Sequence, residues 1–148
     1  MKLKNLIALS GAIVLVMNMS SCSKPAVEKN IGIQLYSVRD YMKTNPDSTV
    51  MEVGKMGYKF VEAAGYGNGL FYGMTPADFK ALVEKSGMQF LGSHTGQGLP
   101  DSAHWDTTML WWDNAIAAHK EAGVKWIVQP WMGGEGYASL EGLKKYCD

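Results

Sequence analysis

Cysteine is scarce in this chain of 148 residues, which has only Cys22 and Cys147. Two cysteines exclude a framework of several disulfides, and they are also too few for a cysteine-based metal site. Neither sign of charge is in excess, because 14 Lys and Arg residues balance 14 Asp and Glu residues. A nucleic-acid-binding protein needs a basic face, so no nucleic-acid partner is expected.

Long apolar runs are also missing, apart from residues 6–19 near the N-terminus. This run follows Lys2 and Lys4 and leads through two serines to Cys22. A positive start, an apolar run and small residues before a cleavage point are the order of a secretory signal peptide. The run is too short to span a bilayer comfortably as a permanent helix.

The junction at residues 19–22 resembles the lipobox of bacterial lipoproteins, with Met19 where leucine is more usual. It predicts a signal peptide over residues 1–22, a lipid on Cys22 and a polar tether over residues 23–30. We therefore expect a lipoprotein of the cell envelope, periplasmic or at the surface, whose contact with the membrane is the lipid. The alternatives are an ordinary signal peptide cut elsewhere and a plain anchor helix.

An internal repeat indicates the fold class of the rest of the chain. Residues 57–61 read Gly-Tyr-Lys-Phe-Val, and the same order of glycine, apolar, long polar, aromatic and branched aliphatic residues recurs at 87–91 and 123–127. The copies are 30 and 36 residues apart (57 to 87, then 87 to 123). That spacing is typical of one strand plus a crossover helix.

Helix signals lie between the repeats. Asn45-Pro46 and Thr75-Pro76 each place a capping residue before a proline at the first helical position, and Asp106 is expected to cap a third helix. The repeat glycines are expected to end the preceding helices in the left-handed conformation.

Strands and helices therefore alternate, from a strand over residues 31–36 to a helix that starts at Ser139. Alternation of this kind predicts an α/β fold with a parallel sheet covered by helices. Dinucleotide-binding open sheets carry a glycine-rich turn after the first strand, and residues 36–40 contain no glycine. A (β/α) barrel is therefore favoured over an open sheet.

Four segments resemble strands of the sugar phosphate isomerase/epimerase family, also called xylose isomerase-like barrels. These segments are residues 31–40, 57–66, 91–96 and 123–131. The resemblance implies a TIM barrel, which has eight βα units and typically about 250 residues. Residues 31–148 supply only the first four units, so we expect a partial barrel whose open strand edge favours self-association.

Active sites of such barrels lie at the carboxyl ends of the strands. The polar residues expected at these ends are Gln34 (or Tyr36), Glu62, His94 and Gln129. All four of Gln34, Glu62, His94 and Gln129 are predicted to bind substrate, with Glu62 and His94 ranked first. Structural alternatives are a basic partner for Glu62 and a backbone partner for the His94 ring.

The repeat also predicts which way these side chains face. Because side chains alternate along a strand, Glu62 shares a side with Phe60, and His94 shares a side with Phe90. If the aligned aromatic residues face the barrel axis, Glu62 and His94 point into one pocket, and Val61 and Leu91 pack on the helices. Gln129 falls on the opposite side from Trp126, so it ranks lower.

Other polar groups have simpler interpretations. The glycine-rich residues 65–69 do not lead directly into a helix, so a mobile loop over the barrel mouth is favoured over a phosphate cradle. Asp101, His104 and Asp106 are metal-ligand types, but a surface loop with a helix cap explains them as well. His119 is expected to be solvated.

The resemblance implies an isomerase or epimerase that moves a proton next to a carbonyl of a sugar or keto-sugar. Such enzymes often hold a divalent metal through a Glu, Asp, His, Glu set from later strands, so no metal ligand is assigned here, although Mn²⁺, Mg²⁺ or Zn²⁺ is expected in a longer form. The secretory signal favours a free or oxidised saccharide over a phosphorylated one. The alternatives are a keto-glycoside lyase or hydrolase of the same fold, and a non-catalytic surface sugar-binding lipoprotein.

Overall fold

The structure is a computed structural model that describes residues 29–131 and 134–147. The predicted signal peptide 1–22, with Cys22, and nearly all of the tether lie outside the described residues. In the part of the chain that is described, no helix is long and apolar enough to cross a membrane.

Strands of the main sheet alternate with helical segments along the chain, as the sequence predicts, and a hairpin adds a separate pair of short strands. The strands are β1 (Gly32–Gln34), β2 (Phe60–Ala63), β3 (Tyr66–Gly67), β4 (Leu70–Phe71), β5 (Gln89–His94) and β6 (Trp126–Val128). The helices are α1 (Arg39–Thr44), α2 (Pro46–Lys55), α3 (Pro76–Lys85), α4 (Trp105–Glu121), α5 (Gly134–Ala138) and α6 (Leu140–Cys147), and a 3₁₀ turn over Leu35–Val38 precedes α1.

Four of the strands form one parallel sheet in the order β1-β2-β5-β6. Each strand therefore lies beside the previous main strand of the chain, and all their carboxyl ends meet at the same edge. This is the progression of a (β/α) barrel, and it confirms the predicted fold class. The core lies between the sheet and the helices, where Val61 and Phe90 pack with Val53, Phe79 and Val83.

Local sequence signals set the ends of the helices. The Asn45 side chain accepts a hydrogen bond from the Ser48 backbone N–H, 3.3 Å away, at the start of α2. At the start of α3, Thr75 Oγ1 accepts from the Asp78 N–H at 3.2 Å and donates to Asp78 Oδ2 at 2.6 Å. Gly57, Gly87 and Gly123 follow helices with φ of 95°, 81° and 75°. Both caps and all three glycine conformations are confirmed.

Two predicted boundaries differ from the structure. The first strand ends at Gln34 rather than extending to Tyr36, because the chain turns there to bury Leu35 fully. The helix α4 begins at Trp105 with His104 as its N-cap, so the prediction that Asp106 caps it is wrong. Asp106 lies in the first turn instead, where a negative charge is favourable.

The glycine-rich residues 65–69 belong to a regular hairpin, so the prediction of a loop here is wrong. They form most of a two-stranded hairpin in which Tyr66 pairs with Phe71 and Gly67 pairs with Leu70. Asn68 and Gly69 turn the chain with φ of 52° and 80°, the backbone of a tight primed turn. The hairpin is anchored because the Phe71 ring is fully buried.

A β-bulge between β2 and β5 changes the predicted side-chain directions. Val61 pairs with Phe90, but Glu62 pairs with Gly92, which leaves Leu91 without a partner in this ladder. Phe90 therefore faces the helices, whereas Phe60 lies on the opposite face. The prediction that Phe60 and Phe90 share a side is wrong, and so is the prediction that Leu91 packs on the helices, since it borders the same cavity as Phe60.

Candidate functional site

Three of the four predicted site residues meet at the carboxyl edge of the sheet. Gln34 Nε2 donates a hydrogen bond to Glu62 Oε1 at 2.5 Å, and His94 Nε2 lies 3.9 Å from the same oxygen. We call Gln34, Glu62 and His94 the carboxylate cluster. It forms because β1, β2 and β5 are adjacent parallel strands and each carries one of the three residues at or near its carboxyl end.

The carboxylate cluster is partly open to solvent. The side chains of Glu62 and His94 are 25% and 30% exposed. Gln34 is the sequence-distant partner that holds the carboxylate, so the structural alternative of a basic partner for Glu62 is not what the structure shows. His94 likewise lies against a carboxylate rather than a backbone group. A carboxylate that keeps one uncommitted oxygen at a strand end can accept a hydrogen bond from a ligand hydroxyl.

Gln129 lies at the same edge of the sheet but has a different role. Its Nε2 donates to the Gln97 and Trp131 carbonyl oxygens, both at 2.7 Å, so it ties the loop after β5 to the segment after β6. Its Oε1 is buried and has no hydrogen-bond partner among the described residues. Gly96 makes room for this amide, because a Cβ at that position would collide with it. The structure does not bring Gln129 into contact with the carboxylate cluster.

The side of β5 that faces the helices carries a buried series of hydrogen-bonded polar side chains. Ser93 Oγ lies 2.7 Å from Thr95 Oγ1, which lies 3.1 Å from His119 Nε2, and His119 Nδ1 lies 2.6 Å from the Ala115 carbonyl oxygen. A carbonyl can only accept, so Nδ1 carries the proton and Nε2 accepts from the Thr95 hydroxyl. The hydroxyl of Ser93 then donates to Thr95.

The prediction that His119 is solvated is wrong, because this side chain is 2% exposed. Its ring packs against Tyr66 and Phe71 at centroid distances of 4.6 and 4.8 Å. Burial lowers the pKa of His119, so the ring is held neutral. Two signals in the sequence could have identified these hydrogen-bonded side chains. His119 lies four residues after Ala115, on the same face of the helix, and Ser93 and Thr95 are two residues apart, on the same side of the extended backbone.

A tyrosine supports the end of β2 beside Glu62. Tyr72 Oη accepts a hydrogen bond from the Ala64 backbone N–H at 2.8 Å. Burial raises the pKa of Tyr72 to about 12, so this hydroxyl stays protonated at ordinary pH. No motif in the sequence pointed to this residue, which joins the hairpin to the strand that carries Glu62.

Asp101 and His104, which are both metal-ligand types, form a local hydrogen-bonded pair just before α4. Asp101 Oδ1 accepts from the His104 backbone N–H at 3.0 Å and lies 2.7 Å from His104 Nδ1. The hydrogen bond from His104 lowers the pKa of the Asp101 carboxyl. Among the described residues, no three His, Cys, Asp or Glu side chains lie together as a metal site would require. Glu62 and His94 are ligand types, but these two alone do not complete a divalent metal site.

Two crystal structures, each of a sugar phosphate isomerase/epimerase from Parabacteroides distasonis ATCC 8503, are similar to this chain. The first is 27% identical with a TM-score of 0.70, and the match covers 80% of this chain and 46% of that one. The second is 23% identical with a TM-score of 0.62, over 78% of this chain and 43% of that one, and supports the fold alone. No protein-family model and no curated protein matches the sequence.

The comparison confirms the resemblance that the four strand segments predict. The chain has a sugar isomerase-like α/β fold, and it spans less than half the length of the two solved structures.

Proposed function

We propose that this chain forms part of the substrate site of an isomerase or epimerase that moves a proton next to the carbonyl of a sugar or keto-sugar. The observation that carries the proposal is the convergence of Gln34, Glu62 and His94 at the carboxyl ends of three adjacent strands. Barrel enzymes of this type place their catalytic chemistry at that edge.

Each side chain of the carboxylate cluster has a distinct part in the proposal. Gln34 donates to Glu62 Oε1 and fixes the carboxylate plane, which leaves Oε2 to accept from a sugar hydroxyl. The His94 ring, 3.9 Å from Oε1, binds a second hydroxyl or a carbonyl oxygen. Two neighbouring polar groups of a sugar would thus be held by two neighbouring strands, and both residues position the substrate rather than serve as the main bases.

The same face of the sheet also offers an aromatic surface. Trp126 pairs with Gly92, which in turn pairs with Glu62, so the indole lies on the face that carries the carboxylate. The Trp126 side chain is 47% exposed, and Gly92 allows it to lie close to β5. Trp126 Nε1 is the ring atom that lies nearest Gly92, so the apolar ring face is what suits the C–H face of a sugar.

A divalent metal in a longer form would supply stabilisation of the enediolate formed by proton removal. At the carboxyl edge of the sheet, among the described residues, Glu62 and His94 have suitable donor chemistry, and they would fit a ligand set only together with others.

The envelope location is part of the same proposal. Lipid attachment at Cys22 is tested by expressing the chain in a bacterium supplied with a labelled fatty acid and by fractionating the cells. We expect label in the membrane fraction for the unchanged chain and none for Cys22→Ala, with Cys147→Ala as the matched control. Label that persists in Cys22→Ala would contradict the lipoprotein assignment.

The sugar site is tested by calorimetric titration with free aldoses, ketoses, keto-glycosides and sugar phosphates. If Glu62 accepts from a sugar hydroxyl, Glu62→Gln weakens binding by roughly 10- to 100-fold, the value of one hydrogen bond to a charged group. Glu52→Gln is the matched control, since Glu52 pairs with Lys55 on the exposed side of α2. Equal effects of the two changes would remove Glu62 from the site.

Catalysis is tested separately from binding. A longer form that joins this chain to the later strands of the barrel is incubated with each bound sugar in deuterated water, with and without Mn²⁺, Mg²⁺ or Zn²⁺, and deuterium at the carbon next to the carbonyl is measured by NMR. Exchange supports the enzyme proposal. Binding without deuterium exchange would favour the non-catalytic sugar-binding alternative. The absence of both binding and exchange across the panel would contradict the proposal.

A further inference from the structure

The residue after β5 is fixed from two directions. The Thr95 backbone N–H donates to the Val128 carbonyl at 3.0 Å, and the Thr95 side chain, 4% exposed, reaches His119 on α4. Beyond it the chain continues through Gly96 and Gly98 without regular secondary structure. Because glycine has the greatest backbone freedom, this segment provides little stiffness of its own.

In the sequence, His94 lies between Ser93 and Thr95, the two hydroxyl residues of the buried hydrogen-bonded series. Side chains alternate along a strand, so Ser93 and Thr95 face α4 while His94 faces Glu62. The contacts of Ser93 and Thr95 on the other face therefore hold the stretch of backbone from which the His94 side chain projects. His119 holds both, because it accepts from Thr95, which accepts from Ser93.

We propose that His119 is a positioning residue, which acts through the Thr95 hydroxyl to hold the end of β5 and so sets the His94 ring against Glu62. The neutral ring with its proton on Nδ1 is the form required, since Nε2 must accept from Thr95. The aromatic rings of Tyr66 and Phe71 pack on the imidazole and keep it in place. The consequence for sugar affinity rests on the proposed function, whereas the consequence for His94 geometry does not.

The test uses the hydroxyl of Thr95, because Thr95→Val has nearly the same shape and lacks only the polar group. We expect amide hydrogen exchange at residues 94–97 to accelerate roughly 5- to 150-fold, the factor for loss of one buried hydrogen bond. The cross-relaxation signal between the His94 ring and the Glu62 side chain should weaken, and sugar affinity should fall with it. Thr95→Ser, which keeps the hydroxyl, should restore all three.

The control is Thr49→Val, which removes a hydroxyl that donates to the Asn45 carbonyl at 2.7 Å on the exposed side of α2. It should leave exchange at residues 94–97 unchanged. A second pair tests the acceptor: His119→Leu should act like Thr95→Val, and His119→Gln, whose side-chain oxygen can accept, should be milder.

A purely structural role for His119 predicts a different pattern. Amide hydrogen exchange would then accelerate by the same factor throughout the chain. The cross-relaxation signal between the His94 ring and the Glu62 side chain would stay unchanged in the folded protein. That pattern would overturn the proposal, as would no local change, or loss of folding in both Thr95→Val and His119→Leu. If no sugar binds to the unchanged chain, the proposed function fails, while exchange and cross-relaxation still decide this inference.

Discussion

The Tyr72 side chain and Gly65 are in direct contact, and this contact fixes the hairpin β3–β4 on the end of β2. The Tyr72 backbone N–H donates to the Gly65 carbonyl at 2.7 Å, and a Cβ on Gly65 would collide with the Tyr72 ring. The Tyr72 hydroxyl then accepts from the N–H of Ala64, two residues beyond Glu62. The hairpin therefore braces the strand end that carries the central carboxylate of the site.

Replacement of Tyr72 by phenylalanine tests this brace. Tyr72→Phe leaves the Ala64 N–H without its acceptor, so the free energy of unfolding should fall by about 1–2 kcal/mol. Urea denaturation at pH 7 measures the change. Tyr41→Phe is the control, because Tyr41 is exposed and its replacement should be nearly neutral.

Tyr72 also predicts an alkaline dependence of stability. Its pKa rises from 10.0, the ordinary value of a solvated tyrosine, to about 12 in the fold because of burial. Above pH 10 the unfolded chain loses this proton first, so stability is complete below pH 10 and falls as pH rises toward 12. Urea titrations at pH 9 and 11 should show a smaller drop for Tyr72→Phe than for the unchanged chain, and equal drops would contradict the prediction.

His119 predicts an acidic dependence. Burial lowers its pKa below 6.5, so its unfolded form takes up a proton at a higher pH than its folded form. The stability that the neutral ring contributes is present above pH 6.5 and is lost as pH falls through the folded value. Unfolding free energies at pH 7.5 and 5.5 should differ less in His119→Gln than in the unchanged chain. His104→Gln, on the surface, is the control.

The pair Gly96 and Gln129 predicts a compensating double change. Gly96→Ala places a Cβ against the buried Gln129 amide, and overpacking of this kind costs roughly 1–3 kcal/mol. In a Gln129→Ala background the obstacle is absent, so the same change should cost much less. A double-mutant cycle in urea measures the difference, and additive costs would show that the two side chains do not compete for space.

The aromatic core predicts the largest single effect on stability. Phe71 is fully buried and lies 5.1 Å from the Phe90 ring and 5.7 Å from the Phe79 ring, centroid to centroid. Phe71→Ala should lower the free energy of unfolding by about 3–5 kcal/mol, since it leaves a cavity. Leu110→Ala is the contrast, because Leu110 is 61% exposed on α4 and its loss should change stability by less than about 0.5 kcal/mol.

Much of the fold follows from local signals that act within a few residues. A capping side chain, a proline at the first helical position and a glycine after the last turn are satisfied within one turn of helix, so α2 and α3 begin and end as predicted. Repetition of those units implies the parallel order of the sheet. The carboxyl-end position of Gln34, Glu62, His94 and Gln129 followed from the same order.

The face of the sheet on which each side chain lies could not be predicted so directly from the sequence. The repeat placed Phe60 and Phe90 on one side, but ahead of the bulge Phe60 pairs with Gln89 and Val61 with Phe90, so the two rings lie on opposite sides. The same bulge shifts the later residues of β5 by one position, which returns His94 to the side of Glu62. The prediction about His94 was thus right although the alignment behind it was wrong, because a bulge is a property of two paired strands.

The amino-acid sequence by itself determined the alternation of elements, their capped ends and the edge of the sheet at which polar residues collect, since these depend on neighbours along the chain. Only the tertiary structure decided that Gln34 rather than a basic residue holds Glu62, and that Gln129 binds backbone rather than the carboxylate cluster. It also decided that His119 is buried behind His94. These contacts join residues 24 to 32 positions apart, and the packing of strands and helices brings them together.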